Sequence, residues 1–239
     1  MGFLNQNIEL SYKKAPYILN KMKLFLILLK DMRYYILNTL VNILASSVGS
    51  LTNPTKLTNT FISNSVKDVN AHTITSYIDY LLDAFLINKS ERYDVKGKKY
   101  IQTPKKYYFS DIGLRNARLN FRQQEKNHIM ENIIYNELIV RGYNVDVGVV
   151  EVRDESKNRK QLEIDFVCNL GNKRYYVQSA LNLDTREKTI QEERPLMKIN
   201  DNFKKIIVVK DTMKHWITEE GILVVGIQEF LLDKNSLDL

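Results

Sequence analysis

The chain has 239 residues, of which 44% are hydrophobic and 26% charged, and this composition is typical of an ordinary soluble globular protein. A single cysteine and three scattered histidines exclude a disulfide framework, a cysteine zinc cluster and a histidine-based metal site, and they favour a reducing, cytoplasmic setting. The formal charge of +7 and the pI of about 9.2 are compatible with nucleic-acid binding without requiring it.

Residues 1–29 form an N-terminal segment that we expect to be helical in part. Its short apolar run within Met22–Leu29 is bracketed by lysines and lacks a signal-peptide cleavage site. No stretch of the chain approaches the roughly 18 apolar residues that a membrane-spanning helix needs, so no membrane partner is expected. A helical pattern runs from Tyr17 to Val48, with a break near Lys30-Asp31 and a stop at Gly49.

Two further helices and two strands follow. Pro54 fits the first turn of a helix that runs to about Asn64, and Thr73 is predicted to cap a third helix that ends near Phe85. The strands Ile87–Tyr93 and Tyr107–Ser110 flank a basic loop. Three helices followed by a two-stranded basic wing are the order of a winged helix-turn-helix domain, which we place at residues 30–115.

A winged helix of this kind predicts a DNA-contacting surface. Between Lys89 and Lys126 the chain has eleven Lys or Arg residues against four acids, with tyrosines interleaved. The predicted contacts are the early positions of the third helix and the lysines of the wing: His72, Thr73, Thr75, Ser76, Lys96, Lys98, Lys99, Lys105 and Lys106. The open alternative is a solvated hairpin that docks on another domain, because winged helices also serve as protein–protein modules.

A polar linker at residues 116–126 separates this domain from a second one at residues 127–239. The second domain reads as an α/β sheet flanked by helices. Its predicted elements are the helix His128–Arg141, the strand Val145–Val152, a hairpin within Leu162–Leu181, the helix Asp184–Met197 with Thr185 as a possible cap, the strands Lys205–Val209 and Ile222–Val225, and the helix Ile227–Leu232.

The hairpin of the second domain carries the candidate chemistry. Its period of two places Ile164, Phe166 and Cys168 on one face, and Asp165 lies mid-strand in apolar surroundings with Gln178 on the partner strand. A buried carboxylate is costly unless it is paired, hydrogen-bonded or metal-bound. Asp165 therefore marks either a functional site or, alternatively, an edge or solvent-facing position.

The order of helix Glu131, strand Asp165 and strand Gln178 resembles the PD-(D/E)XK nuclease fold, the restriction-endonuclease-like core. From about Lys30 onward the chain is also similar to the C-terminal region of prokaryotic AAA-type ATPases, which combines a winged helix with a nuclease-like domain of unknown function. The segments RYDVKGKKYIQTPKKYYFSDIGLRNA, ENIIYNELIVRGYNVDVG and EIDFVCNLGNKRYYVQSA carry that similarity. The resemblance implies an α/β fold, α+β overall, with a helical winged helix-turn-helix before a restriction-endonuclease-like domain.

In that family two carboxylates hold Mg²⁺ and a lysine orients the attacking water, so the resemblance implies catalytic residues Glu131, Asp165 and Gln178 with Glu131 and Asp165 as metal ligands. This chain departs from the pattern: Gln178 carries no charge and Ala180 occupies the lysine position. Lys173, Arg174 or Lys188 could replace that lysine, although no spacing selects one. We therefore expect catalysis to be absent or weak, and Mg²⁺ to bind weakly if at all.

The ATPase half of such proteins has no counterpart here, because no G-x-x-x-x-G-K-[ST] phosphate loop occurs in the chain. Three hypotheses follow. The first is a DNA- or partner-binding protein with a degenerate nuclease-like domain. The second is a Mg²⁺-dependent DNA nuclease with a displaced lysine, and the third is a protein-interaction module that self-associates or acts with a separate ATPase.

Overall fold

A computed structural model describes residues 34–63, 69–122, 125–153, 156–211 and 214–239. The predicted N-terminal segment and the first half of the helix predicted from Tyr17 lie outside these residues. The described elements are α1 (Tyr34–Ser46), α2 (Pro54–Ser63), α3 (Ala71–Asp83), β1 (Ile87–Asp94), β2 (Lys99–Phe109), α4 (Ile112–Arg118), α5 (Lys126–Val140), β3 (Asn144–Arg153), β4 (Arg159–Leu170), β5 (Lys173–Ala180), α6 (Arg186–Met197), β6 (Lys204–Val209), β7 (Trp216–Ile217), β8 (Leu223–Gly226) and α7 (Ile227–Leu232). None of these helices has both the length and the apolar character needed to cross a bilayer.

All eight strands form one mixed sheet in the order β2-β1-β3-β4-β5-β6-β8-β7. The pairs β1–β3, β5–β6 and β6–β8 are parallel, and the other neighbours are antiparallel. The prediction of a mixed α/β protein is confirmed. The sheet also joins the segments on either side of the predicted linker at residues 116–126. Arg92 of β1, which precedes the linker, pairs with Val147 of β3, which follows it.

Helices cover the sheet through two hydrophobic clusters. One cluster joins the first three helices to the sheet and to α5 and α7, with Leu40, Phe61, Ile134 and Phe230 among its buried members. The other cluster lies under α6 and includes Leu196. Each helical layer removes apolar side chains of the sheet from water, which is the main term that stabilises such an arrangement.

Three local predictions for the first half are corrected by the structure. Asn70, rather than Thr73, caps α3, since its side chain accepts a hydrogen bond of 2.9 Å from the Thr73 amide. Most of the predicted basic loop is strand, because β2 spans Lys99–Phe109 and only a short turn separates it from β1. The predicted linker at residues 116–126 overlaps two helices, because its first residues end α4, Ile112–Arg118, and its last residue begins α5.

A β-bulge interrupts the regular alternation in β4. Val147 of β3 lies opposite two residues of β4, Asp165 and Phe166. As a result Ile164 and Phe166 contribute to different hydrophobic clusters, and the predicted shared face for these two residues is wrong. Bulges re-aim side chains and are enriched near functional sites, and this bulge includes the candidate residue Asp165.

Gly148 is the close-packing point beside this bulge. A Cβ at this position would lie 2.9 Å from Ile164 Cβ and 2.9 Å from Val167 Cγ2, and neither neighbour is a flexible chain end. We expect Gly148→Ala to lower the free energy of unfolding in urea by about 1–3 kcal/mol, since overpacking forces the strands apart. Wild-type stability in Gly148→Ala would contradict this account.

Candidate functional site

The predicted catalytic region contains a buried ion-pair cluster centred on a lysine from β2. The ammonium of Lys106 lies 2.7 Å from a Glu163 oxygen, 2.9 Å from a Glu131 oxygen and 3.9 Å from an Asp165 oxygen. Its side chain is 4% exposed. These four residues are referred to below as the Lys106 cluster. The structure therefore brings Glu131 and Asp165 together, and it adds two residues that sequence reasoning did not place there.

The Lys106 cluster is held by contacts between α5 and β2. Tyr108, two residues after Lys106 and on the same side of the strand, donates a hydrogen bond of 2.7 Å to Glu131 Oε1. The Asn132 side chain accepts from the Phe109 amide at 2.9 Å and donates to the Phe109 carbonyl at 2.8 Å. This two-bond clamp fixes α5 against the end of β2, so Glu131 meets Lys106 in one geometry.

Asp165 lies where the ladder between β4 and β5 opens. Backbone pairing of the two strands ends at Phe166 and Val177. Beyond that point, hydrogen bonds between side chains and backbone connect the two strands. Asp165 Oδ2 accepts from the Ser179 amide at 2.8 Å, and the Asp165 amide donates to Gln178 Oε1 at 3.3 Å. The Asp165 side chain is 13% exposed, so its alternative interpretation as a solvent-facing residue is wrong.

Gln178 belongs to a second, neighbouring polar group that faces α6. Its Nε2 donates to Glu192 Oε2 at 3.3 Å, and the other oxygen of Glu192 binds the ammonium of Lys188. Ala180, at the position where the PD-(D/E)XK pattern has a lysine, is buried in the α6-side hydrophobic cluster. The three predicted catalytic residues are thus adjacent, but Gln178 contacts Asp165 only through the backbone amide.

Of the lysine substitutes considered from the sequence, only Lys188 lies near the predicted catalytic residues. Lys173 forms an ion pair with Asp238 at 2.9 Å, and Arg174 donates to Asn169 at 2.7 Å. The cation that meets Glu131 and Asp165 is instead Lys106. We correct its assignment as a DNA contact, since its ammonium is buried and turned toward carboxylates.

The protonation of the Lys106 cluster follows from its burial and its charges. Burial disfavours the ammonium, but Glu131, Asp165 and Glu163 outweigh that effect and raise the pKa of Lys106. Burial and the neighbouring Glu131 also raise the pKa of Asp165 to about 8, against the opposing effects of Lys106 and the Ser179 amide. At pH values below this pKa, Asp165 holds a proton.

The residues present do not fit a Mg²⁺ site. Such a site needs several oxygen ligands with room for water and phosphate, whereas Glu131 Oε1 is taken by the Lys106 ammonium and the Tyr108 hydroxyl. Across the residues that the structure describes, no group of three or more His, Cys, Asp or Glu side chains is arranged to hold a metal ion. The predicted ligands Glu131 and Asp165 lie close together, but a protein ammonium stands between them.

The lysines predicted to contact DNA separate into two environments. Lys96, Lys98 and Lys99 are exposed at the turn between β1 and β2. Lys105 is half-buried and pairs with Glu91 at 2.7 Å. It lines a cavity of about 450 Å³ between α3 and the β1–β2 hairpin. Of these lysines, only Lys96, Lys98 and Lys99 can therefore contact a phosphate backbone without breaking an ion pair such as Lys105–Glu91.

The predicted recognition helix presents hydroxyls that its own backbone already uses. Thr75 and Ser76 donate to the carbonyls of Ala71 and His72, and Thr73 bonds to the cap residue Asn70. His72 is exposed. Since α3 contains no lysine or arginine, its polar face offers no positive charge to DNA.

A basic surface that the sequence did not reveal lies beside the β1–β2 turn. The parallel pairing of β1 with β3 brings that turn to the end of the β3–β4 hairpin, where Lys96 Nζ donates to the Glu151 carbonyl at 3.3 Å. The exposed cations of this surface, called the basic edge below, are Lys96, Lys98, Lys99, Arg153, Arg159, Lys160 and Lys198. Their proximity depends on long-range strand pairing, for which the local sequence has no signal.

Comparisons with known proteins give relatives whose functions are not named. A family model described as a domain of unknown function (DUF8612) matches residues 29–125. An uncharacterized protein of Haemophilus influenzae (strain ATCC 51907 / DSM 11121 / KW20 / Rd) is 36% identical over 200 residues, which cover 83% of this chain and 46% of the relative. The chain thus spans about half the length of that relative. No solved structure matches the chain.

Proposed function

We propose that this chain is a DNA-binding protein with a nuclease-like core that does not cut DNA. The observation that carries the proposal is the Lys106 ammonium inside the carboxylate cluster. A metal-dependent hydrolase of this kind must keep its carboxylates available for the ion. Here a divalent cation would have to displace a buried ammonium held by Glu131 at 2.9 Å and Glu163 at 2.7 Å.

The basic edge is the DNA-contacting surface in this proposal. Its lysines and arginines are exposed, and phosphate contacts by such residues supply most sequence-independent affinity. Tyr100 beside them is 58% exposed, which offers an aromatic face for an unpaired base. Because α3 lacks cations, we expect contacts with phosphates rather than bases, and therefore little sequence preference.

One assay separates the hypotheses. The purified chain is titrated with fluorescent duplex and branched DNA in the presence of Mg²⁺ or Mn²⁺, and binding and cleavage are recorded together over a range of salt concentrations. We expect binding that weakens steeply as salt rises, without cleavage. The absence of both binding and cleavage would instead favour a protein-interaction module that works with a separate ATPase.

The second candidate is a Mg²⁺-dependent nuclease in which Lys106 is the displaced lysine. Its support is the position of Lys106, which contacts Glu131 and lies 3.9 Å from Asp165. Cleavage that is lost in both Asp165→Ala and Lys106→Gln, with DNA binding retained, would establish this candidate. It would also overturn the binding-only proposal.

The basic edge itself is tested by a triple substitution. Lys96→Gln, Lys98→Gln and Lys99→Gln together should weaken binding at least about tenfold for every DNA sequence, and should reduce the slope of log K against log salt by up to about 3. The matched control neutralises Lys126, Lys210 and Lys234, which are also exposed and do not belong to the basic edge. Equal binding by the two triple variants would show that the basic edge is not the contact.

A further inference from the structure

A second cavity lies at the other edge of the sheet, between α6 and β7. It has a volume of about 460 Å³. Its charged lining consists of Glu193, Glu219, Glu220 and Arg186. Three carboxylates against one guanidinium make this cavity acidic on a chain whose formal charge is +7. Its charge therefore selects against DNA and in favour of a cation.

Glu193 is the residue that points to a ligand. Its side chain lines the cavity from α6, yet the residue is only 7% exposed. Its Oε1 is buried and accepts no hydrogen bond within the described structure. A buried carboxylate oxygen without a donor is costly. A ligand that donates to Glu193 would relieve this cost, and the donor with the strongest interaction is a charged N–H group.

Trp216 supplies the second feature of a cation site. It is half-buried and lines the same cavity, and an indole face attracts ammonium and guanidinium groups more strongly than other aromatic rings do. An aromatic ring beside the unpartnered Glu193 oxygen and two exposed carboxylates matches a cation that carries both charge and N–H donors. Inorganic cations would use the carboxylates but gain little from the indole.

The surroundings of the cavity favour a protein as the source of this cation. Ile190, which lines the cavity, is 54% exposed, and Ile217, next to Trp216, is 67% exposed. Exposed large apolar side chains around a polar pocket are a feature of protein-binding surfaces. We propose that this cavity binds a lysine or arginine side chain of a partner protein, with Glu193 as its hydrogen-bond acceptor. This surface is separate from the basic edge and does not depend on DNA binding.

The test uses the fluorescence of Trp216, the only tryptophan in the chain. The full chain is titrated with a tetra-arginine peptide, with spermidine as a free polyamine and with a tetra-glutamate peptide as a charge control. We expect a saturable fluorescence change with tetra-arginine, weaker binding of spermidine and no response to tetra-glutamate. Glu193→Gln should weaken the binding of the arginine peptide at least about tenfold, because the charge-assisted hydrogen bond is lost.

A matched control is Glu187→Gln, an exposed residue of the same helix that does not line the cavity. It should bind tetra-arginine like the wild type. The double variant Glu219→Gln, Glu220→Gln changes only exposed turn residues, so it remains informative if Glu193→Gln fails to fold, and it should also weaken binding. Equal affinities in all variants, or no fluorescence response in the wild type, would overturn the site. Tighter binding of spermidine than of the peptide would overturn the assignment to a partner's side chain.

Discussion

Replacement of Lys106 by methionine should lower the free energy of unfolding by about 3–5 kcal/mol at pH 7. Methionine retains most of the buried stem but removes the ammonium that faces Glu131 and Glu163 at 2.9 and 2.7 Å. Both carboxylates would then lose their shared cation, and the Glu131 side chain, which is 12% exposed, has little water to replace it. Because the carboxylates can take up protons, the deficit should shrink as the pH falls toward 5, and urea unfolding at several pH values measures both effects.

Lys105→Met is the matched control for this substitution. Its ammonium also forms an ion pair of 2.7 Å, with Glu91, but both side chains remain partly exposed. Ion pairs of that kind contribute less than about 1 kcal/mol. A similar small loss in Lys106→Met would contradict the central role of the Lys106 ammonium. If Lys106→Met does not fold at neutral pH, recovery of its near-ultraviolet circular dichroism at pH 5 provides the same test.

The environments of the adjacent residues Lys105 and Lys106 cannot be predicted from the sequence alone. Lys105 and Lys106 occupy the same basic segment, and nothing local distinguishes them. Their different environments arise because both lysines lie within β2, which spans Lys99–Phe109, and because Asn132 clamps α5 onto the end of β2. The period of two along β2 then turns Lys106 and Tyr108 toward Glu131, while Lys105 meets Glu91.

Features determined by short-range chemistry were predicted more closely. The helix α7 has the bounds expected from its pattern. Thr185 caps α6 as proposed, since its side chain accepts from the Lys188 amide at 3.2 Å. Caps and periodicity depend on residues within a few positions of one another. The cap of α3 was nevertheless predicted at Thr73 instead of Asn70, because both residue types can cap a helix.

Asp165 illustrates an intermediate case. A carboxylate in the middle of an apolar strand predicts that the group needs a partner, because its burial cost follows from its chemistry alone. The identity of the partners was not predictable, since the Ser179 amide becomes available only where the ladder opens. The bulge also depends on Gly148 across the sheet, which permits the close approach of Ile164.

Asp165→Asn should change the pH dependence of stability. Burial and Glu131 raise the pKa of Asp165 to about 8 from an ordinary value of 3.8. Between these values the folded state keeps a proton that the unfolded chain releases. This group therefore makes stability fall as pH rises, by up to about 1.4 kcal/mol per pH unit. Asparagine does not titrate, so the stability of Asp165→Asn relative to wild type should increase steadily from pH 5 to pH 8.

Comparison with Asp238→Asn isolates this effect from other titrating groups. Hydrogen bonds from Tyr175 and Lys173 lower the pKa of Asp238, so its contribution to stability is lost only below the ordinary carboxyl range. The difference between Asp238→Asn and wild type should consequently stay constant from pH 5 to pH 8. Urea titrations at half-unit pH intervals measure both differences. A constant difference for Asp165→Asn as well would show that Asp165 is ionised throughout this range and would contradict the raised pKa.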